Sequence, residues 1–226
     1  MNVYRLVSPN CDRTEITVEH LILHYTAVDL QGTLDIFMNG DNAVSAHLVI
    51  DTDGGIYELV QCLEGKAWRA WHAGVSRYSD RERFNDHSIG IELVNLNGNL
   101  FSYTDAQYQA LQHVVQVLKQ SYPALADPER VMGHEHVAGF RGKADPGLQF
   151  NWCRFYRECY PQMKAPERTP VCPEALQQAL MPLAELVSGA TSAETASGTV
   201  SAKKEDARYW QAISSLTESV VKLLQE

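Results

Sequence analysis

The sequence predicts an α/β protein: a central mixed β-sheet flanked by helices, with a helical C-terminal extension. Three observations lead there. Short apolar runs of strand length recur along the first two thirds of the chain, helical periodicities alternate with them, and composition changes sharply after residue 160. Residues 17–25 and 44–51 read as strands, through Leu21-Ile22-Leu23 and Leu48-Val49-Ile50. Between them Leu30, Leu34, Phe37 and Met38 recur at helical spacing, so 29–39 reads as a short helix closing at Asn39-Gly40. Thr52-Asp53-Gly54-Gly55 is a turn signal that sends 56–60 back as a hairpin partner. Residues 89–94, apolar almost throughout, read as a buried central strand.

Thr104 and Gln107 form a capping-box signature, followed on one helical face by Tyr108, Leu111, Val114, Val115 and Leu118; Tyr122-Pro123 should end that helix. A short strand at 130–133 then delivers His134, and 150–160 reads as a closing helix. This gives one domain over 1–160. Residues 161–173 form a proline-rich connector, expected to be extended. The tail, 174–226, has Leu176, Ala179, Leu180, Leu183, Leu186 and Val187 on one helical face, a low-complexity linker at 188–202, and Tyr209, Ile213, Leu216, Val220 and Leu223 at spacings of four, three, four and three. That last seam fits either a helix folding back on its own chain or one that serves self-association or partner docking.

The chain of 226 residues has a formal charge of −9, which argues against a nucleic-acid partner and against broad capture by anionic membranes. No run approaches the ~18 apolar residues that span a bilayer. The N-terminus lacks a basic segment followed by an apolar run, so no signal peptide is read. Five cysteines, Cys11, Cys62, Cys153, Cys159 and Cys172, contain no C-x-x-C pair and fit free thiols better than a disulfide framework, with a Cys153–Cys159 or Cys159–Cys172 bridge left open.

His24 ends an apolar strand, His134 a short strand-like run, and Asp145 sits in the loop that follows. Two imidazoles and a carboxylate supply three ligands to a tetrahedral Zn²⁺ and leave a fourth position for water, as in a catalytic site. Any one of the three, alone, is more often an ordinary hydrogen-bonded polar residue. The surrounding blocks decide otherwise: LILHYTA (21–27), VSAHLVID (44–51), AWHAGVS (70–76), NDHSIGIELVN (85–95) and GHEHVAGFRGKADPG (133–147). In order and approximate spacing they resemble the zinc-dependent N-acetylmuramoyl-L-alanine amidases of type 2, the group of the AmpD-like enzymes, related to the peptidoglycan recognition proteins. The resemblance covers roughly residues 1–160.

That resemblance implies an amidase fold with a Zn²⁺ cofactor on His24, His134 and Asp145, and a peptidoglycan or anhydromuropeptide substrate. Glu92 matches the family's catalytic glutamate, although a glutamate in such a strand can also simply face solvent. Lys143, two residues before Asp145, matches the lysine expected to meet an oxyanion. The loop departs from many relatives: His134 and Asp145 are eleven residues apart rather than ten, with Gly139 replacing a proline and Gly142 inserted, which makes it more permissive. Trp71 and His72 resemble a substrate-cleft segment, Trp71 reading equally as a core tryptophan. Arg83, with Lys66, Arg69, Arg77 and Arg81, forms a basic stretch that is either solvated surface or a seat for carboxylates of an acidic stem peptide. His136 reads as a neighbour of the metal ligands and His47 as a buried structural residue.

The activity expected is hydrolysis of the amide between the lactyl group of N-acetylmuramic acid and L-alanine; the alternative is a non-catalytic peptidoglycan-binding module. The LHYTA, VSAHLVID and IELVN blocks tilt the expectation to wall or wall fragments and a cell-wall-facing location, in the periplasm or after specialised export. The missing export signal points to the alternative, a cytoplasmic enzyme of soluble anhydromuropeptides.

Overall fold

The computed structural model describes residues 3–168, 174–193 and 216. The chain divides into two compact units, Met1–Pro170 and Val171–Glu226. The first contains strands β1 (Val3–Arg5), β2 (Cys11–Ile16), β3 (His20–Tyr25), helix α1 (Leu30–Met38), strands β4 (Leu48–Ile50), β5 (Ile56–Glu58), β6 (Ala67–Ala70), β7 (Arg77–Tyr78), β8 (Arg81–Glu82), β9 (Ser88–Leu93), helix α2 (Asp105–Ser121), strand β10 (Val131–Gly133) and helices α3 (His134–Ala138) and α4 (Trp152–Cys159). In the second, helix α5 runs from Glu174 to Ala193 and buries Ala179, Leu180 and Leu183.

Six strands form the main sheet in the order β1-β5-β4-β9-β3-β10. Only the β4–β5 hairpin is antiparallel; every other pairing is parallel, so the sheet is mixed. Strand side chains alternate between faces, and here the two faces have different jobs. Leu21 and Leu23 of β3, Ile89, Ile91 and Leu93 of β9, and Leu48 and Ile50 of β4 join one core cluster with Leu111, Val114, Val115 and Leu118 of α2 and Trp152, Phe155 and Tyr156 of α4. Each such buried aliphatic side chain stabilises the fold by roughly 1.5–3 kcal/mol. On the opposite face Ile22 and Met132 pack with Val137 and Ala138 of α3, and Val49 packs with Phe37 of α1. His24 and Glu92 stand on this second face, aligned by the register that pairs His20 with Ser88, Ile22 with Gly90 and His24 with Glu92.

Helix α2 begins as its sequence specifies. The Thr104 hydroxyl accepts from the Gln107 amide at 3.1 Å and the Gln107 carbonyl oxygen accepts from the Thr104 amide at 3.1 Å. The same buried Gln107 side chain donates to the Val94 carbonyl at 2.9 Å, so one residue both caps the helix and ties it to the end of β9.

Several expectations change. Strands β1, β2 and β6 were not anticipated: β1 is exposed along its length and β2 reads CDRTEI, so neither shows an apolar alternation. His134 opens helix α3 rather than ending a strand. Residues 161–168 do not extend freely: Pro166 is buried and Arg168 donates to the carbonyls of Glu129 at 2.8 Å and Val131 at 3.3 Å. Helix α5 continues six residues into the stretch read as a linker at 188–202. Cys172, Tyr209, Ile213, Val220 and Leu223 lie outside the described residues.

Gln107→Ala removes the side-chain half of the capping box and the buried hydrogen bonds to the Val94 and Ile50 carbonyls while leaving a cavity, and should lower unfolding free energy by about 2–3 kcal/mol in denaturant titration. A loss under about 0.5 kcal/mol would show that the Gln107 half of the capping box and the β9 tie carry no stability.

Candidate metal centre

Three elements bring the candidate ligands together. Strand β3 presents His24, the first turn of α3 presents His134, and the loop after α3 presents Asp145, all buried. Both Nδ1 atoms lie 3.0 Å from the same carboxylate oxygen, Asp145 Oδ2. The aspartate is held by its loop: its carbonyl accepts from the Glu135 amide at 2.9 Å, and the Tyr103 hydroxyl donates to the Pro146 carbonyl at 2.6 Å. The loop rests directly on Gly98, where a Cβ would fall 2.0 Å from the Pro146 carbonyl oxygen, so only glycine fits.

The hydrogen-bond partners assign the imidazole tautomers. The Ser88 hydroxyl donates to the Phe84 carbonyl at 2.5 Å, so toward His72 Nε2, 3.3 Å away, it can only accept. His72 therefore carries its proton on Nε2, also facing the Ser88 carbonyl at 3.4 Å, and offers a lone pair at Nδ1. His24 Nε2 lies 3.0 Å from that Nδ1 and must donate to it. His134 Nε2 faces the Ala73 carbonyl at 3.3 Å and must also donate. In their neutral forms both ligand histidines thus direct Nδ1 lone pairs at Asp145 Oδ2. Burial first, and then the neighbouring His134, lowers the His24 pKa to about 4, which keeps it neutral near pH 7. Three electron-pair donors converging without a proton between them make a site that fits a cation, and their chemistry matches zinc.

A second group, Glu19, His20 and His87, has comparable spacing but the opposite logic. Arg130 Nη1 donates to His20 Nε2 at 3.3 Å, His20 Nδ1 donates to His87 Nδ1 at 3.2 Å, and His87 Nε2 donates to the Glu82 carbonyl at 3.0 Å. Every ring nitrogen is matched, leaving no convergent lone pairs.

Glu92 is buried beside His24, and its Oε2 has no hydrogen-bond partner among the described residues. Burial, reinforced by the Asp145 charge and opposed by Lys143, raises its pKa well above the ordinary value. Lys143 itself is exposed, with its charge felt at both Glu92 and His24. Gly142 takes up the extra loop residue with φ of 81°.

The residues expected to bind substrate separate. Trp71 is half-buried and donates from Nε1 to Asp12 at 3.2 Å. His72 is not in an open cleft: it is buried behind His24. Arg83 is exposed and pairs with Asp86 at 2.6 Å, ahead of the N-terminal end of β9, whereas Glu92 lies near the other end of that strand. His136 accepts from the Gly133 amide at 2.9 Å and caps α3, and buried His47 accepts from the Gly90 amide at 3.0 Å. Sequence reading missed Arg141, which donates to the Ala73 carbonyl at 2.9 Å, and Glu135, whose carboxyl is raised to about 7 by burial and the Asp145 charge. Both stand inside the GHEHVAGFRGKADPG block, which does not say what either side chain touches.

A group whose pKa is raised on folding contributes stability below its unfolded value and loses it as pH rises toward the folded one. Glu92→Gln in the metal-free protein should therefore stabilise, by on the order of 1 kcal/mol near pH 8, and the gain should shrink toward pH 5. Thermal melting across pH checks this; a gain that grows on acidification would contradict the assignment.

Residues 14–148 match the family model described as N-acetylmuramoyl-L-alanine amidase. The chain is 51% identical over 112 residues to the 1,6-anhydro-N-acetylmuramyl-L-alanine amidase AmpD of Salmonella typhimurium, covering 50% of this chain and 55% of that protein, so it spans about half the length of this relative. It is 34% identical over 171 residues to AmpD of Haemophilus influenzae, covering 67% of this chain and 89% of that one. Among solved structures it resembles the complex of the amidase AmiD from E. coli with anhydro-N-acetylmuramic acid-L-Ala-D-gamma-Glu-L-Lys, at 29% identity and a TM-score of 0.55, over 74% of this chain and 71% of that one. The convergent donors on the second sheet face therefore belong to a chain that is a member of the N-acetylmuramoyl-L-alanine amidase family.

Proposed function

We propose that the chain is a zinc-dependent amidase that hydrolyses the bond between the lactyl group of N-acetylmuramic acid and L-alanine in soluble 1,6-anhydromuropeptides. The observation that carries it is the set of three converging electron pairs on His24, His134 and Asp145 beside the unpartnered Glu92 Oε2. The soluble substrate, in place of the wall expected from the sequence blocks, is supported by the 51% identity to an amidase named for the 1,6-anhydro form.

His24 Nδ1, His134 Nδ1 and Asp145 Oδ2 would hold the zinc. Bound in such a set, zinc lowers the pKa of water toward ~7 and polarises a carbonyl. Glu92 Oε2 accepts the proton of the attacking water as the new C–O bond forms. It returns that proton to the nitrogen as the C–N bond breaks, so the amine of L-alanine leaves neutral and the lactyl carboxylic acid remains. Its site suits both directions, because burial makes the carboxyl reluctant to stay charged and willing to hold the proton. Lys143 is the cation available to the oxyanion that develops on the substrate carbonyl.

His24→Ala, His134→Ala and Asp145→Ala should each abolish zinc binding and turnover, since two remaining ligands do not hold an open tetrahedral site. Zinc loss in His136→Ala with retention in His134→Ala would reverse the ligand assignment. Glu92→Gln should keep zinc and lose turnover by ~10²–10⁴, and near-normal turnover in Lys143→Ala would remove that residue from the mechanism. Mass spectrometry of products from anhydromuropeptides and intact sacculi, side by side, tests the substrate: faster release from the soluble form is expected, and preference for sacculi would restore the wall-facing reading. No product from either would leave a binding module.

A further inference from the structure

Both metal-facing imidazoles lean on two consecutive residues. His24 Nε2 meets His72 Nδ1 at 3.0 Å, and His134 Nε2 meets the Ala73 carbonyl at 3.3 Å. These two are themselves immobilised from one atom: the Asn85 side-chain oxygen accepts from the His72 amide at 3.0 Å and the Ala73 amide at 2.7 Å. The His72 ring lies flat over Gly90, where a Cβ would come within 2.4 Å of its Cγ, and Ser88 accepts from its far nitrogen. Arg141 closes the other side by donating to the same Ala73 carbonyl. All of these atoms except the guanidinium tip belong to buried residues.

We infer that the His72–Ala73 dipeptide, pinned by Asn85, is the positioning device that fixes the tautomer and aim of both ligand histidines and so sets the protein's affinity for its metal. The inference rests on the metal centre proposed above and deepens it. Hydrogen-bond partners behind ligating histidines fix ring orientation and raise ligand basicity, and losing one costs typically ~10–100-fold in metal affinity. Here one peptide serves both rings, which couples the two ligands: a shift of the 72–73 backbone disturbs His24 and His134 together. Among the described residues Asn85 hydrogen-bonds to neither ligand histidine, yet it holds both of their supports. Gly90 is the seat, since any side chain there would displace the His72 ring from β9.

The test is zinc affinity by chelator competition, together with the visible spectrum of the cobalt-loaded protein, in the wild type and in His72→Ala, His72→Asn, His72→Gln and Asn85→Ala. His72→Ala and Asn85→Ala should bind zinc ~10–100-fold more weakly and shift the cobalt bands. His72→Asn places an oxygen where Nδ1 stood and should recover most of the affinity. His72→Gln, whose amide reaches instead toward the Nε2 position, should not. Melting of the metal-free proteins separates this from general unfolding, because Asn and Gln differ little in what they do to the core. Equal affinities for the Asn and Gln variants, or wild-type affinity in His72→Ala, would overturn the inference. A wild type that takes up no zinc would overturn the metal centre itself, a distinct result.

Discussion

The parallel register between β3 and β9 is the constraint on which the rest depends. It sets two alternations in phase. Odd residues of both strands, Leu21, Leu23, Ile89, Ile91 and Leu93, pack into the core with α2 and α4, and the even residues carry His20, Ile22 and His24 against Ser88, Gly90 and Glu92. A slip of one residue would send His24 and Glu92 into the apolar layer and Leu23 and Ile91 out of it. The burial energy of the first face thus fixes the chemistry of the second.

The second face accepts polar groups at a cost that the structure offsets differently for each. The buried imidazoles are matched partner by partner, from Ser88 through His72 to His24 and from Ala73 to His134. Glu92 is served less well, since among the described residues its Oε2 has no hydrogen-bond partner. Stability favours pairing or removing such a group, whereas the proton-accepting role proposed for Glu92 calls for it to be unpaired.

Much of this was legible in the sequence, and the failures have physical reasons. Helix α1, the β4–β5 hairpin, strand β9 and the α2 capping box follow from local patterning, because each is specified within a dozen residues. Strands β1 and β2 escaped because they are mostly exposed and have no apolar alternation to reveal them. The three ligand positions stood out through their sequence blocks. The place of His72 behind His24 was not legible, because the AWHAG segment looks the same whether it lines a cleft or backs another histidine. What decides is Gly90, eighteen residues on and in a different strand, whose missing side chain admits the ring. Asn85 and Arg141 were invisible for the same reason, since their roles are set by a backbone loop brought near only by folding.

X-ray absorption at the zinc edge of the metal-loaded protein tests the central claim most directly. The account predicts one zinc per chain with two imidazole nitrogens, a carboxylate oxygen and one further light atom at about 2.0–2.2 Å. A third imidazole, drawn from His72 or His136, or a sulfur scatterer at about 2.3 Å, would contradict it.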